Sequence, residues 1–377
     1  MKSAFESHFF ARPAVVVRSP GRINLIGEHT DYNEGFVFPA AIDLAMTIEV
    51  GPGLISTEVF AADLNEQFLI NFNGGNGPVP SWAKYVIGMI AGLGPKNIPP
   101  TQIAFGGDIP VGAGLSSSAA LCVGIGLALN ELHGLGLERA EIARIAQHAE
   151  HEYAGVNCGL MDQYASLFGL SGHFLKLDCR DLSFEYVPAD LGEYSLVLCD
   201  SRVKHALAES AYNQRRAECA EGLRLIQRQF PQVQSLRDAD LNMLKTVGWE
   251  MSPEVALRCK YVIEENARVG FVAEALQKGE IKAVGECLYA THAGLQHDYA
   301  VSCAELDFLV DLTGSLEYVA GARLMGGGFG GCTLNLVNHN YLTAFEAHLR
   351  NWYERNFGIT PHFYPVKISD GGSILKQ

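Results

Sequence analysis

Residues 112–119 read Gly-Ala-Gly-Leu-Ser-Ser-Ser-Ala. The stretch lies between an apolar run ending near Val111 and a helix-like run from Ala119 to Leu132. Small residues let a backbone approach a ligand without Cβ clashes. Serines where a helix begins offer hydroxyls for a cap or a metal. A helix N-terminus presents unpaired N–H groups and a partial positive charge, so a phosphate settles there. The stretch therefore reads as a phosphate cradle opening a helix over 117–133, with Gly134 as its C-terminal cap. No Walker A lysine follows, which excludes the ordinary P-loop. A tight turn with a capping residue is the plainer reading, but three consecutive serines are more than a cap needs.

Outward from this loop, the pattern alternates strands and helices. Residues 14–18 predict a strand entering a turn at Ser19-Pro20-Gly21, and 36–50, 66–73 and 101–106 predict further strands. A helix is expected over 138–153, with Ile142, Ile145, Ala146 and Ala149 on one face, then a loop over Gly155–Gly159 and a helix from Met161 to Phe168. Strands return at 173–178, 183–187 and 194–199. Beyond the Pro188–Gly192 turn the chain reads mostly helical, at 207–229, 254–277, 281–296 and 303–313, closing with strands near 333–337 and 361–368. A strand-rich first half and a helix-rich second half predict an α+β fold of two lobes, 1–188 and 189–377.

Composition narrows the function classes. The 377 residues suffice for two cored lobes. A formal net charge of −14 argues against nucleic acid as partner, which requires a basic face. It leaves room for an anionic nucleotide, since local groups and Mg²⁺ reverse the sign at one site. Nine cysteines without a CxxC suggest free thiols in a reducing compartment. No apolar stretch is long enough to span a bilayer, and the N-terminus lacks a signal-peptide core, so a cytoplasmic location is expected.

Three other segments carry chemistry. Residues 19–35, Ser-Pro-Gly-Arg-Ile-Asn-Leu-Ile-Gly-Glu-His-Thr-Asp-Tyr-Asn-Glu-Gly, crowd hydrogen-bonding side chains between two strands. Glu28, His29 and Asp31 supply acceptors and a donor suited to sugar hydroxyls, the alternative being a solvated turn. Residues 325–331, Met-Gly-Gly-Gly-Phe-Gly-Gly, satisfy GxGxxG, but a strand-like run follows where a dinucleotide fold requires a helix. No HRD or DFG supports a protein kinase. The segment reads as a hairpin loop able to close over a ligand or over residues 112–118. Asp162 at a helix start is either a cap or a reactive acid, and Glu150 either a solvated charge or a ligand. Trp82 and Tyr85 are either one packed helix face or a purine-stacking pair. His148 and His151 lack the third partner that a zinc site needs.

Taken together, these segments resemble the galactokinase branch of the GHMP small-molecule kinase superfamily. Gly21–Asn33 is similar to the branch's sugar signature, Gly112–Ala119 to the superfamily's phosphate loop and Leu324–Thr333 to its third, glycine-rich motif. The likeness extends to 158–163 and 298–303, across nearly the whole chain. It implies a two-lobed fold with the active site in the cleft, and transfer of a phosphoryl group from ATP to the anomeric hydroxyl of galactose. By position, it implies that Asp162 and Arg22 are catalytic and that Glu28, His29, Thr30, Asp31, Gly159 and Tyr212 bind sugar. Gly112, Ala113, Gly114, Leu115, Ser116, Ser117 and Ser118 would hold ATP phosphates, with Trp82 and Tyr85 near the adenine. Ser118 and Glu150 would hold Mg²⁺. A monomer without membrane partners is expected. The alternatives are another kinase of the superfamily, acting on N-acetylgalactosamine or mevalonate, and a non-catalytic galactose and ATP sensor.

Overall fold

The computed structural model describes residues 3–71, 77–110, 112–156, 158–204 and 208–375, with backbone alone for 204 and 208–210. In chain order the first half holds α1 (Ala4–Phe9), β1 (Val15–Asn24), β2 (Phe36–Val37), β3 (Pro39–Pro52), β4 (Thr57–Ala61), β5 (Glu66–Ile70), α2 (Ser81–Leu93) and β6 (Thr101–Gly107). Then come α3 (Ser117–His133), α4 (Arg139–Ala149), α5 (Met161–Phe168), β7 (His173–Asp178), β8 (Phe184–Pro188) and β9 (Tyr194–Lys204). The rest comprises α6 (Ala208–Gln229), α7 (Leu241–Val247), α8 (Pro253–Gln277), α9 (Ile281–Ala293), α10 (Ala304–Thr313), β10 (Val319–Leu324), β11 (Gly330–Asn338), α11 (Leu342–Phe357), β12 (His362–Val366) and β13 (Ser373–Leu375).

Among the described residues, one sheet runs β13-β1-β3-β6-β4-β5, a second β10-β11-β9-β12 and a small third β2-β7-β8. Helix α3 is the hub of the first lobe. Its residues from Ala119 to Leu129 are all buried, because the first sheet covers one side and α2 and α4 the other. Glycine permits this double contact. A Cβ on Gly124 would stand 2.9 Å from Ser19 Cβ of β1, and one on Gly126 would stand 3.0 Å from Met89 Cε of α2. A helix without a polar face is buried all round. Gly134, at φ 61°, caps it as expected.

Several expectations change. The predicted turn at 19–21 is strand: β1 continues to Asn24 through a bulge between Pro20 and Arg22. A bulge accommodates the proline, which has no N–H to donate, and re-aims the next side chain. Residues 19–30 are buried, so the solvated-turn reading fails. The helix expected over 138–153 is α-helical only to Ala149 and continues as one π-helical turn, Glu150–Ala154. Of the strand expected over 66–73, residues 66–70 are formed, while 72 and 73 lie outside the described residues, as do Val111 and the first residue of the helix expected from 207.

The two lobes are not cut cleanly at Pro188. Strand β13 returns to pair with β1, Val16 opposite Leu375, and Leu196, Leu198 and Val366 join the core built around α3. The described helices include none long and apolar enough to cross a membrane.

Candidate active site

A cleft of about 240 Å³ opens where α5, the β10–β11 hairpin loop and the segment after β1 meet. Arg22, Glu28, His29, Asp31, Asp162, Tyr212 and Gly326–Gly328 all line it.

The bulge in β1 sends Arg22 toward the first turn of α5. Its Nε donates to Asp162 Oδ1 at 2.7 Å and its Nη2 to Oδ2 at 3.1 Å, a bidentate pair. Its Nη1 donates to the Gly114 carbonyl at 2.6 Å, tying the pair to the phosphate loop. Burial opposes the arginine's charge, but Asp162, Glu28 and Asp31 outweigh it and raise its pKa. Asp162 is the second residue of α5 and Leu160 holds the N-cap position, so the acid does not carry the capping duty its place in the sequence suggested.

The sugar signature follows. Three donors converge on Glu28 Oε1: the Gly326 N–H at 2.8 Å and both terminal nitrogens of Arg323 at 3.1 Å. Arg323 is fully buried on β10, and its remaining N–H groups reach the carbonyls of Asn24, Leu25 and Leu324. His29 sits at φ 62° with Nδ1 on the Tyr32 hydroxyl, which contacts the Tyr299 hydroxyl, each at 2.8 Å. Burial lowers its pKa to about 4, so the imidazole is neutral at pH 7. Its Nε2 is buried without a hydrogen-bond partner among the described residues. Asp31 is pushed up to about 7, by burial first and then by repulsion from Asp162, with Glu28 adding to it. Gly159 packs against this acid: a Cβ there would stand 2.8 Å from Asp31 Cβ and nearer still to its carboxylate. Tyr212 of α6 packs on His29 and Tyr32, ring centroids 5.4 Å from each.

The phosphate loop borders the cleft. Gly112 and Gly114 take φ 78° and 76°, and Ser116 φ 57°, leading into α3. Ala113 and Leu115 are buried anchors, and Ser117 opens the helix. The β10–β11 loop lies on this one: a Cβ on Gly114 would meet the Met325 carbonyl at 3.4 Å. Glu150 is buried beside Ser118, with Gln163 Nε2 at 2.5 Å and Cys158 Sγ at 3.3 Å on its Oε2. Its pKa is raised to about 7, by burial first, against the hydrogen bond from Ser118. A buried carboxylate and a hydroxyl at a helix start fit Mg²⁺, which keeps several waters and takes few protein ligands. The described residues contain no group of three or more His, Cys, Asp or Glu suited to a metal.

Two of the expected site residues are not part of the cleft wall. Thr30 is fully buried and does not line the cleft; its hydroxyl donates to the carbonyls of Gly27 or Phe36, at 2.8 and 2.6 Å. It closes the turn that presents Glu28 and Asp31. Trp82 is 8% exposed, with its Nε1 on Glu66 at 2.7 Å and Phe105 and Phe68 edge-on to the ring. That packing leaves no open face for a purine. Tyr85, on the same helix, is partly buried against the core. Sequence reasoning missed Arg323, Tyr32, Tyr299, Cys158 and Gln163. The one signal for Arg323 is a lone charge inside the apolar strand Val-Ala-Gly-Ala-Arg-Leu.

Comparison with known proteins agrees with this geometry. Residues 3–52 match the galactokinase galactose-binding signature, 84–170 the GHMP kinases N terminal domain and 272–355 the GHMP kinases C terminal domain. The galactokinase of Roseiflexus sp. (strain RS-1) is 39% identical over 98% of this chain and 95% of its own length. That of Thermotoga maritima is 36% identical over 94% and 98%. The crystal structure of Lactococcus lactis galactokinase complexed with galactose superimposes with TM-score 0.93 at 34% identity, covering 98% of both chains. A mevalonate kinase at TM-score 0.64 and 19% identity shares the fold alone. With the signature folded into the cleft wall and the likeness running end to end, the chain belongs to the galactokinase family of the GHMP kinases.

Proposed function

We propose that this protein transfers the γ-phosphoryl group of ATP to the anomeric hydroxyl of galactose, giving galactose 1-phosphate and ADP. The observation that carries the reading is the Arg22–Asp162 pair. It sits in one cleft with Glu28, His29 and Asp31 and is bonded to the phosphate loop through Gly114. Phosphoryl transfer depends on positioning and on neutralising charge at the phosphoryl oxygens. Loop amides, the α3 dipole and Arg22 supply that charge. Mg²⁺ held by Ser118 and Glu150 supplies more when bound. Asp162 takes the hydrogen bond of the sugar hydroxyl. An acceptor held at that position suffices where the transition state is loose and the proton leaves late. Glu28, His29, Asp31 and Tyr212 frame the sugar. Buried polar groups that pair an axial hydroxyl are left unpaired by its epimer, and this is a strong source of selectivity. We place the reaction in the cytoplasm, in a monomer; unpaired cysteines suit a reducing compartment.

A coupled ADP-release assay with galactose, glucose, N-acetylgalactosamine and mevalonate tests the reading. Turnover with galactose well above the other three is expected. Preference for N-acetylgalactosamine or mevalonate replaces the substrate. Galactose and ATP binding without ADP release makes the protein a sensor.

A further inference from the structure

We infer that Ser116 is a positioning residue for Asp162, holding the carboxylate so that one acceptor site remains for the sugar hydroxyl. The inference rests on the phosphoryl-transfer reading above and assigns this serine a duty distinct from phosphate binding or helix capping.

The backbone of Ser116 raises the question. Its carbonyl accepts the first intrahelical bond, from Ala120 N–H at 3.0 Å, so it occupies the N-cap position of α3. A capping serine has extended backbone and turns its oxygen to an N–H of the first turn. Ser116 instead sits at φ 57°, ψ 46° with no side-chain cap bond. The left-handed region is costly for an L residue and free for glycine. A serine kept there, where glycine would do, points to a use for its hydroxyl. The hydroxyl lies 2.5 Å from Asp162 Oδ2. An ionised carboxylate only accepts, so the serine donates.

Counting acceptor sites gives the role. A carboxylate offers about four lone-pair positions, two on each oxygen. Arg22 Nε takes one on Oδ1; Arg22 Nη2 and Ser116 Oγ take both on Oδ2. The open position is on Oδ1. Without Ser116, Oδ2 has an open position as well, and the incoming hydroxyl has two places to bind, only one of which is aligned for transfer. The serines of the triplet divide between two acids: Ser116 serves Asp162, while Ser118 bonds Glu150. The single proton of Ser116 cannot also be given to a nucleotide oxygen.

Two substitutions separate this role from its competitors. Ser116→Ala removes the hydroxyl and keeps the backbone strain; Ser116→Gly removes both. In steady-state assays, each is expected to lower kcat about ten- to hundredfold, the worth of a hydrogen bond to a charged group. The KM for ATP should stay within about twofold of wild type, and Ser116→Gly should melt no lower than Ser116→Ala, which keeps the strain. In an Asp162→Asn background neither substitution should lower kcat further. A tenfold rise in the KM for ATP with kcat preserved would make Ser116 a phosphate ligand. Retained kcat in either folded variant, or full additivity with Asp162→Asn, would also overturn the inference. If Ser116→Ala does not fold, Ser116→Gly decides alone. The wild-type substrate panel fails or passes separately, so a wrong sugar would not be mistaken for an idle serine.

Discussion

Arg323→Met removes the most heavily committed side chain near the cleft. A guanidinium carries five N–H groups. In Arg323 all five are used: Nε on the Leu25 carbonyl, Nη1 on Glu28 Oε1 and the Leu324 carbonyl, Nη2 on the Asn24 carbonyl and Glu28 Oε1. Methionine restores much of the volume and none of the donors. Glu28 keeps only the Gly326 N–H, at 2.8 Å, and stays buried. Breaking a buried ion pair by removing one partner costs about 3–5 kcal/mol, because the other charge is left uncompensated. A typical domain has only about 5–15 kcal/mol in total. Thermal melting should therefore drop by roughly 5 °C, since 377 residues unfolding together carry an entropy of about 0.8 kcal/mol per degree. Adding Glu28→Gln removes the stranded charge, so the double variant should melt higher than Arg323→Met alone. Galactose KM should rise in both, since the acid that Arg323 orients lines the cleft. Differential scanning calorimetry with steady-state kinetics reads both effects. A single variant melting within a degree of wild type, or a double variant melting lower than either single, refutes the reasoning.

Other sites yield sharper functional signatures. Gly159→Ala puts a methyl group into the space of the Asp31 carboxylate, so the acid must turn away. Galactose KM should rise about ten- to hundredfold, the value of a charged hydrogen bond, with ATP KM unchanged; an unaltered galactose KM removes Asp31 from the sugar contact. Asp31 itself titrates at about 7 in the fold, against 3.8 ordinarily. Between about pH 4 and 7 the native state therefore binds more protons than the unfolded one. Stability falls as pH rises through that window, by up to about 1.4 kcal/mol per pH unit, and levels off above it. Glu150, also raised to about 7, contributes a slope of the same sign. Melting temperatures from pH 5 to 8 should thus decline less steeply in Asp31→Asn than in wild type, and parallel curves would contradict the raised pKa. Trp82→Phe should cost about 1–2 kcal/mol through the lost Glu66 bond and leave ATP KM within twofold. A tenfold increase would return the indole to the adenine.

What could be read in the chain, and what could not, follows from the range of the interactions. Helix α3 was legible to the residue at both ends, because a glycine-serine entry and a Gly134 exit are local signals. The cleft acids were legible as a crowded segment, and Asp162 as an acid at a helix start. Strand β13 escaped notice because three residues, Ser-Ile-Leu, acquire meaning only from β1, whose edge they cover. Helix α11 was lost because the periodicity of residues 342–357 is blurred by polar and aromatic residues, though it buries Phe345, Leu349 and Tyr353. Trp82 and Thr30 looked functional because side-chain type alone cannot distinguish a group facing ligand from one satisfied by its neighbours.

The triplet of serines poses the same difficulty at its smallest scale. Ser116, Ser117 and Ser118 are chemically identical, and any periodicity argument treats them as one helix start. The left-handed backbone at Ser116 breaks that equivalence by turning its hydroxyl out of the helix and across to α5, while Ser118, two residues on, is aimed at Glu150. Two carboxylates with different duties are thus served by one short loop. Any shift of the loop moves the Asp162 contact and the Glu150 contact together. Through the Arg22 bond to the Gly114 carbonyl it moves the other two bonds to Asp162 as well. The arrangement of the acid that meets the sugar is thereby coupled to the loop that meets the nucleotide, by hydrogen bonds from both partners of the pair.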